Sequence, residues 1–410
     1  MRPLDSHLSG ISAPVSSSKD VTTLLSRADG CLTGGDYKAA VGHLLKVIEL
    51  DPANTDAHFK WGLALEYLGN DAEALEHYDA IIIKRTTVEN IEIQKKAFLK
   101  KHFITLKSKR YDKHELAIGY CKKALELDTH YLYAQNLMTE TLLLLHDLPA
   151  ALEASTRALE IAGLDILAND KTVKSRAHMN HSCLLSSLAG KLSRENKPDE
   201  ARSCYKNALK SCQDAIASNS EDSFYHNEMA KILYILGCYR EAIEASTRAL
   251  ELSPKLFSAH FNKITAHLEL NEISLAESCA AVALTACPQQ KRLFVLQAKL
   301  LARKADASDN STDRENHLNA ALECCEKALL LDPSYAPALE EKDTLSNKRR
   351  LERSLAARSV GALIGRTRIG GPAIISVGRA EVEEAAAAGA GAAEPIARSH
   401  SETPAACIKP

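Results

Sequence analysis

Residues 55–88 read TDAHFKWGLALEYLGNDAEALEHYDAIIIKRTTV. Tyr67-Leu68-Gly69 closes the first half: a glycine after an apolar run ends a helix, because only glycine enters the left-handed region without steric cost. Ala74 and Ile81 then lie seven apart on one face of a second helix. A residue as small as Ala74 lets that helix approach the first closely. Outward from this stretch the same alanine recurs as Ala40, Ala117, Ala151, Ala201, Ala242, Ala276 and Ala321. The intervals are 34, 43, 34, 50, 41, 34 and 45, so 34 is the unit length and the longer ones carry insertions of 9, 16, 7 and 11. Seven residues after each alanine stands Val47, Ile81, Ala124, Ala158, Ala208, Ala249, Ala283 or Ala328. Twelve residues after, Pro52, Pro254, Pro288 and Pro333 would stop a helix for want of a donor. Each unit is therefore read as two packed helices.

These residues resemble the tetratricopeptide repeat family. The likeness is best in Val21–Asn54, Thr55–Val88, Ser223–Leu256 and Phe257–Gln290, with Trp61-Gly62 and Ile235-Leu236-Gly237 ahead of the turns, and Ala74 with Tyr78 and Ala242 with Ala249 after them. Glu153–Glu160 and Glu244–Glu251 both read EASTRALE, for which internal duplication is the simplest account. The resemblance implies an all-α, right-handed α-solenoid of about eight helix-turn-helix repeats with a C-terminal capping helix. It says little of function, because sites rather than folds carry function.

A solenoid grows by adding units and needs no closed core, so 410 residues count repeats rather than domains. The net charge is −2, with ten Lys/Arg against six Asp/Glu in residues 348–410. That split is no nucleic-acid signature. The 11 cysteines form no CxxC pair, and Cys204, Cys212, Cys279, Cys287, Cys324 and Cys325 fall at or beside apolar positions, as reduced core thiols do. The first twenty residues lack the apolar stretch of a secretory signal, and no run of 18 apolar residues predicts a membrane span. The expected location is cytoplasmic, with the nucleus as the other option.

The expected organisation is a disordered leader over 1–20, the repeat array over 21–343, the end of a capping helix over 344–358 and a disordered Gly/Ala-rich tail over 359–410. The third and fifth units are expected to have long first helices, around Ile91–Ile104 and Val173–Leu192. The eighth has its first helix at Lys291–Lys304 followed by a loop at Ala305–Asn316, and Ala336–Arg358 reads as a basic capping helix.

No catalytic constellation, cofactor site or metal site is predicted, and the chain is read as a non-enzyme. The string Gly361 to Thr367 has neither the glycine spacing nor the lysine of a phosphate loop. His178 and His181 lie three apart without a third ligand, and His260 and His267 sit where the family packs its repeats. Lys95, Lys96, Lys100 and Lys101 open a basic window that runs to Lys113, a candidate patch for an acidic partner, weighed against a solvated outer face.

The resemblance also implies a concave face lined by the first helix of each unit. Its fifth and ninth positions are Leu25 and Asp29, Phe59 and Leu63, His102 and Leu106, Asn136 and Glu140, Ser186 and Gly190, Asn227 and Lys231, Phe261 and Thr265, Val295 and Lys299. The Lys/Asn pair with which chaperone-binding members grip a terminal carboxylate is missing. Asn227, Lys231, Phe261 and Lys299 are the candidate peptide-binding groove. The leading expectation is an adaptor or scaffold that binds a protein or peptide partner. The alternatives are a co-chaperone acting with Hsp70 or Hsp90 and an RNA-associated repeat protein, although a nucleic-acid partner is not favoured. Ala242→Glu should cost on the order of 3 kcal/mol or more by forcing a carboxylate between two helices. Lys113→Glu should cost little, a contrast that thermal melting of the two variants measures.

Overall fold

The computed structural model describes residues 15–107, 112–164 and 170–367, which contain 17 α-helices and no strand. The first sixteen form eight antiparallel pairs. They are α1 (Val15–Thr33) with α2 (Tyr37–Leu50), α3 (Thr55–Leu68) with α4 (Asp71–Ile82), α5 (Ile91–Lys107) with α6 (Asp112–Leu127), and α7 (Leu132–Leu144) with α8 (Leu148–Ala162). There follow α9 (Lys171–Arg194) with α10 (Pro198–Ser218), α11 (Ser223–Leu236) with α12 (Tyr239–Leu252), α13 (Phe257–Glu269) with α14 (Ile273–Ala286), and α15 (Lys291–Ala307) with α16 (Ser311–Leu331). The last helix is α17 (Ala336–Thr367). Each second helix packs on the first helix of the next pair, and first helices meet across repeats, α7 on α9 and α11 on α13.

The eight anchor alanines are buried, none more than 3% exposed, and so are the eight residues seven positions on. Gly62 shows how tight the contact is: a Cβ there would lie 2.7 Å from the ring of the fully buried Tyr78. Among the described turns, six hairpins reverse through a left-handed residue, Gly35, Gly69, His146, Asn196, Gly237 or Asn271. The amide that follows returns to a carbonyl of the last turn, as Asn70 does to Leu65 and Cys238 to Leu233, which satisfies the helix end. Asp36, Asn54, Asp147, Asp170 and Asp222 cap the helices that follow them through their side-chain oxygens.

The insertions lengthen helices. α5 has 17 residues, α9 24, α10 21 and α16 21, against 14 in α2 or α11. The loop expected over Ala305–Asn316 is corrected accordingly. α15 runs to Ala307 and only residues 308–310 separate it from α16, whose amide of Thr312 is capped by Asn310. The Asp/Ser/Asn-rich stretch supplies a helix start, and Leu318 anchors the added turns in the core.

Two outer boundaries also move. α1 begins at Val15, inside the expected leader, because no proline or glycine interrupts Val15–Asp29. α17 continues past Arg358 to Thr367, the first proline beyond it being Pro372. The rest of the leader and tail lies outside the described residues. The chain divides into a unit of Met1–Asn347, which holds the repeats, and a second of Lys348–Pro410. Within the first, Ala338 and Leu345 of α17 cover the eighth repeat by joining clusters with Val295, Ala328, Ala298 and Leu318.

Two glycine substitutions test this packing in opposite directions. Gly62→Ala should lose about 1–3 kcal/mol against the Tyr78 ring. Gly42→Ala, on an exposed helical face with nothing within 4 Å of the new methyl, should gain about 0.5–1 kcal/mol in denaturant unfolding.

Candidate functional site

A cleft of about 400 Å³ opens on first helices alone: Asp29, Leu32 and Thr33 of α1, Asp56, Phe59, Lys60 and Leu63 of α3, and Ile93 and Lys96 of α5. Its floor is apolar, and Phe59 is held from behind by Tyr78, ring centroids 5.8 Å apart. The rim is fixed by Lys60, whose ammonium meets Asp29 at 2.8 Å and Asp56 at 2.8 Å. Three of the expected concave residues, Asp29, Phe59 and Leu63, are brought together here.

His102 and Leu106 are not part of this cleft. His102 is 1% exposed, with Nδ1 3.1 Å from the Ala117 carbonyl and 3.3 Å from Cys121 Sγ. The nine extra residues of the third unit leave α5 at 17 residues, so counting back from Ala117 lands well beyond Ile93 and Lys96, the α5 residues that line the cleft.

Four lysines of the basic window, Lys95, Lys100, Lys101 and Lys107, are engaged by carboxylates of the fold. Lys95 is 4% exposed and bridges Glu92 and Asp128, each at 2.7 Å, with the Tyr131 ring 4.5 Å away. Lys100 meets Glu66 at 3.3 Å, Lys101 pairs with Asp79, and Lys107 meets Asp71 at 2.7 Å. Of the four candidate lysines only Lys96 is exposed, and it stands at the cleft. Lys109 and Arg110 lie outside the described residues.

Further along, the groove positions are polar and mutually engaged. Arg176 of α9 grips Glu140 of α7 with two bonds of 2.6 and 2.7 Å, and Asn180 adds a third to Glu140 at 3.0 Å. Asn136 donates to the Val173 carbonyl at 3.0 Å, while its own Oδ1 is buried without a partner. Asn262 of α13 donates to Asn227 Oδ1 at 3.2 Å, which leaves Asn227 4% exposed. Lys231 pairs with Glu228 on its own helix. Phe261 is half-buried against Phe257, and Lys299 is 57% exposed, 4.0 Å from Glu341. The four candidate groove residues thus occupy successive first helices α11, α13 and α15, with Lys299 the most accessible.

These partners share a signal that the composition of single helices hides. Lys100 and Glu66 are 34 residues apart, Lys95 and Asp128 33, Arg176 and Glu140 36, and Asn262 and Asn227 35. Complementary groups about one repeat length apart find each other, across the repeat interface for Lys100–Glu66, Arg176–Glu140 and Asn262–Asn227 and at the end of its own repeat for Lys95–Asp128. A second cleft, about 840 Å³, lies between α6, α7 and α8 over Ile118, Met138 and Leu142, with Lys122 and Glu153 at its edges, and nothing in the sequence reading pointed to it. Among the described residues no three His, Cys, Asp or Glu side chains gather as a metal site, and no helix is long and apolar enough to cross a membrane.

Residues 25–87 match the family model described as tetratricopeptide repeat. No curated protein matches the chain. Among solved structures, the chain is similar to YrrB, described as a TPR protein with an unusual peptide-binding site, at 19% identity over 54% of this chain and 97% of that one, with a TM-score of 0.37. It is similar to the Cut9–Hcn1 hetero-tetramer of the APC/C at 15% identity over 82% of this chain and 57% of that one, TM-score 0.46. A tetratricopeptide repeat protein of Parabacteroides merdae ATCC 43184 is 13% identical over 80% of this chain and 99% of that one, TM-score 0.39.

Five histidines set an acid limit on this scaffold. Burial is the first cause that holds His58, His77, His102, His178 and His181 below the ordinary 6.5, His77 to about 4 with the neighbouring His58 contributing. Lowered pKa values mean that the unfolded chain binds protons the folded one refuses, so stability is full above pH 6.5 and is lost as pH falls toward 4. Melting temperature should be flat above about pH 7 and drop below pH 6.5, less steeply in His77→Gln. A melting temperature that rises on acidification would contradict the assignment.

Proposed function

We propose that the chain, which matches the tetratricopeptide repeat model over residues 25–87, is a tetratricopeptide repeat protein and a non-enzymatic adaptor that binds a partner peptide along its first helices. The observation that carries this reading is the apolar cleft over Phe59, Leu63 and Ile93, built only from first helices of three successive repeats. Preformed helices remove most of the ordering cost on the receptor side, so an apolar anchor of a peptide gains nearly the full benefit of its burial. Lys96 and the Asp29–Lys60–Asp56 rim supply polar contacts at the edges. Phe261 and Lys299, with Asn227 and Lys231 beside them, form a second segment of the same reading, suited to an aromatic or aliphatic side chain next to an acidic group.

A chaperone partner and an RNA partner find less support. The lysines that would have attracted nucleic acid, Lys95, Lys100 and Lys101, are held by carboxylates. Binding through them would need those ion pairs to open, at a cost in the packing of α5 on α4.

Peptides selected from a displayed library against the full chain should carry a bulky apolar residue. Leu63→Glu should weaken the selected peptides at least tenfold with helicity unchanged by circular dichroism, and Lys113→Glu should leave them unaffected. If Lys231→Ala with Lys299→Ala weakens them instead, the docking site is the second segment. Equal binding by all three variants would remove the groove from the function.

A further inference from the structure

His58 of α3 and His77 of α4 face each other with their Nδ1 atoms 3.1 Å apart, ring centroids 5.3 Å apart and planes tilted by 43°. Neither lines the groove cleft. The second ring nitrogen of His58, Nε2, lies 3.2 Å from the Pro52 carbonyl and must donate its proton there, which leaves Nδ1 of His58 as a lone pair. The proton between the rings therefore sits on Nδ1 of His77. We propose that this pair is a two-histidine site for a borderline transition-metal cation, Cu²⁺ or Zn²⁺.

Metal–imidazole bonds of about 2.0–2.1 Å to two nitrogens at this separation enclose an angle of roughly 100°, between the square and tetrahedral values. On binding, the proton on Nδ1 of His77 moves to its Nε2, so the exchange is balanced with no proton released. The Pro52 carbonyl already orients His58 as outer-shell carbonyls orient metal-bound histidines. Asp51 offsets part of the charge of Lys84, the two charged groups acting on His58. Both rings are half-buried, which leaves a path to solvent and open coordination positions for water. Cu²⁺ heads the affinity order for such nitrogen ligands.

The site carries its own reporter. Trp61, the single tryptophan of the chain, stacks on the His77 ring with centroids 4.4 Å apart. The full chain is titrated with CuSO₄ at pH 7.5 while Trp61 emission is followed. The expected result is saturable quenching by one equivalent, reversed by EDTA, with a parallel ZnCl₂ titration competing for it. His77→Phe keeps a ring against Trp61 and removes the ligand, and should weaken the apparent affinity at least tenfold. His58→Gln should do the same, with helicity checked by circular dichroism. His260→Gln, which removes a histidine whose Nε2 also meets a proline carbonyl, should change nothing. Quenching that does not saturate, or that persists unaltered in His77→Phe, would overturn the proposal.

Discussion

The contact on which everything else depends is the close approach of two helices at an alanine. Ala40, Ala74 and their six equivalents have no exposed surface to speak of, and beside Ala74 the backbone at Gly62 lies so near the Tyr78 ring that a Cβ has no room. Because the helices sit this near, the polar groups along their edges are brought within bonding distance as well. Tyr78 donates to Glu66, Glu66 in turn meets Lys100, and the chain of contacts passes from one repeat into the next. Were the anchor larger, the ring, the carboxylate and the lysine would all lose their geometry together.

This arrangement decides how the groove can work. A floor of asparagines and ion pairs is usually read as binding capacity, yet Asn180, Asn227 and Asn262 use their amides to join neighbouring first helices. The Arg176–Glu140 pair, two-pronged and largely buried, does the same between α7 and α9. Such groups are costly to leave unpaired in a desolvated place, so their partners are fixed by the fold before any ligand arrives. Around Phe59 and Leu63 the groove is instead apolar, and the ion pairs stand only at its rim.

Much of the fold was legible because its signal is local and periodic. The alanine spacing announced eight pairs, and the glycines at 69 and 237 announced their turns. What escaped was anything that required a partner from another helix. Lys95, Lys100 and Lys101 look like an unbalanced charge run when read along one helix, since Asp128, Glu66 and Asp79 are more than twenty residues away. The insertions escaped for a related reason. A count of residues says how many are added, but where along α5 they fall depends on which turn packs, and that choice moved His102 from the groove to the core. The polar stretch before Leu318 became helix because one buried leucine outweighs a run of weak helix formers.

The pairing of groups one repeat length apart has a further consequence. It makes the surface between consecutive repeats head-to-tail: the face each repeat offers forward differs from the one it offers back. A contact of that kind does not close on itself, and in chemical terms it is a propagating chain end. The placement of Ala338 and Leu345 over the eighth repeat then acts as a termination step, filling with the molecule's own helix the position that the next repeat would otherwise take.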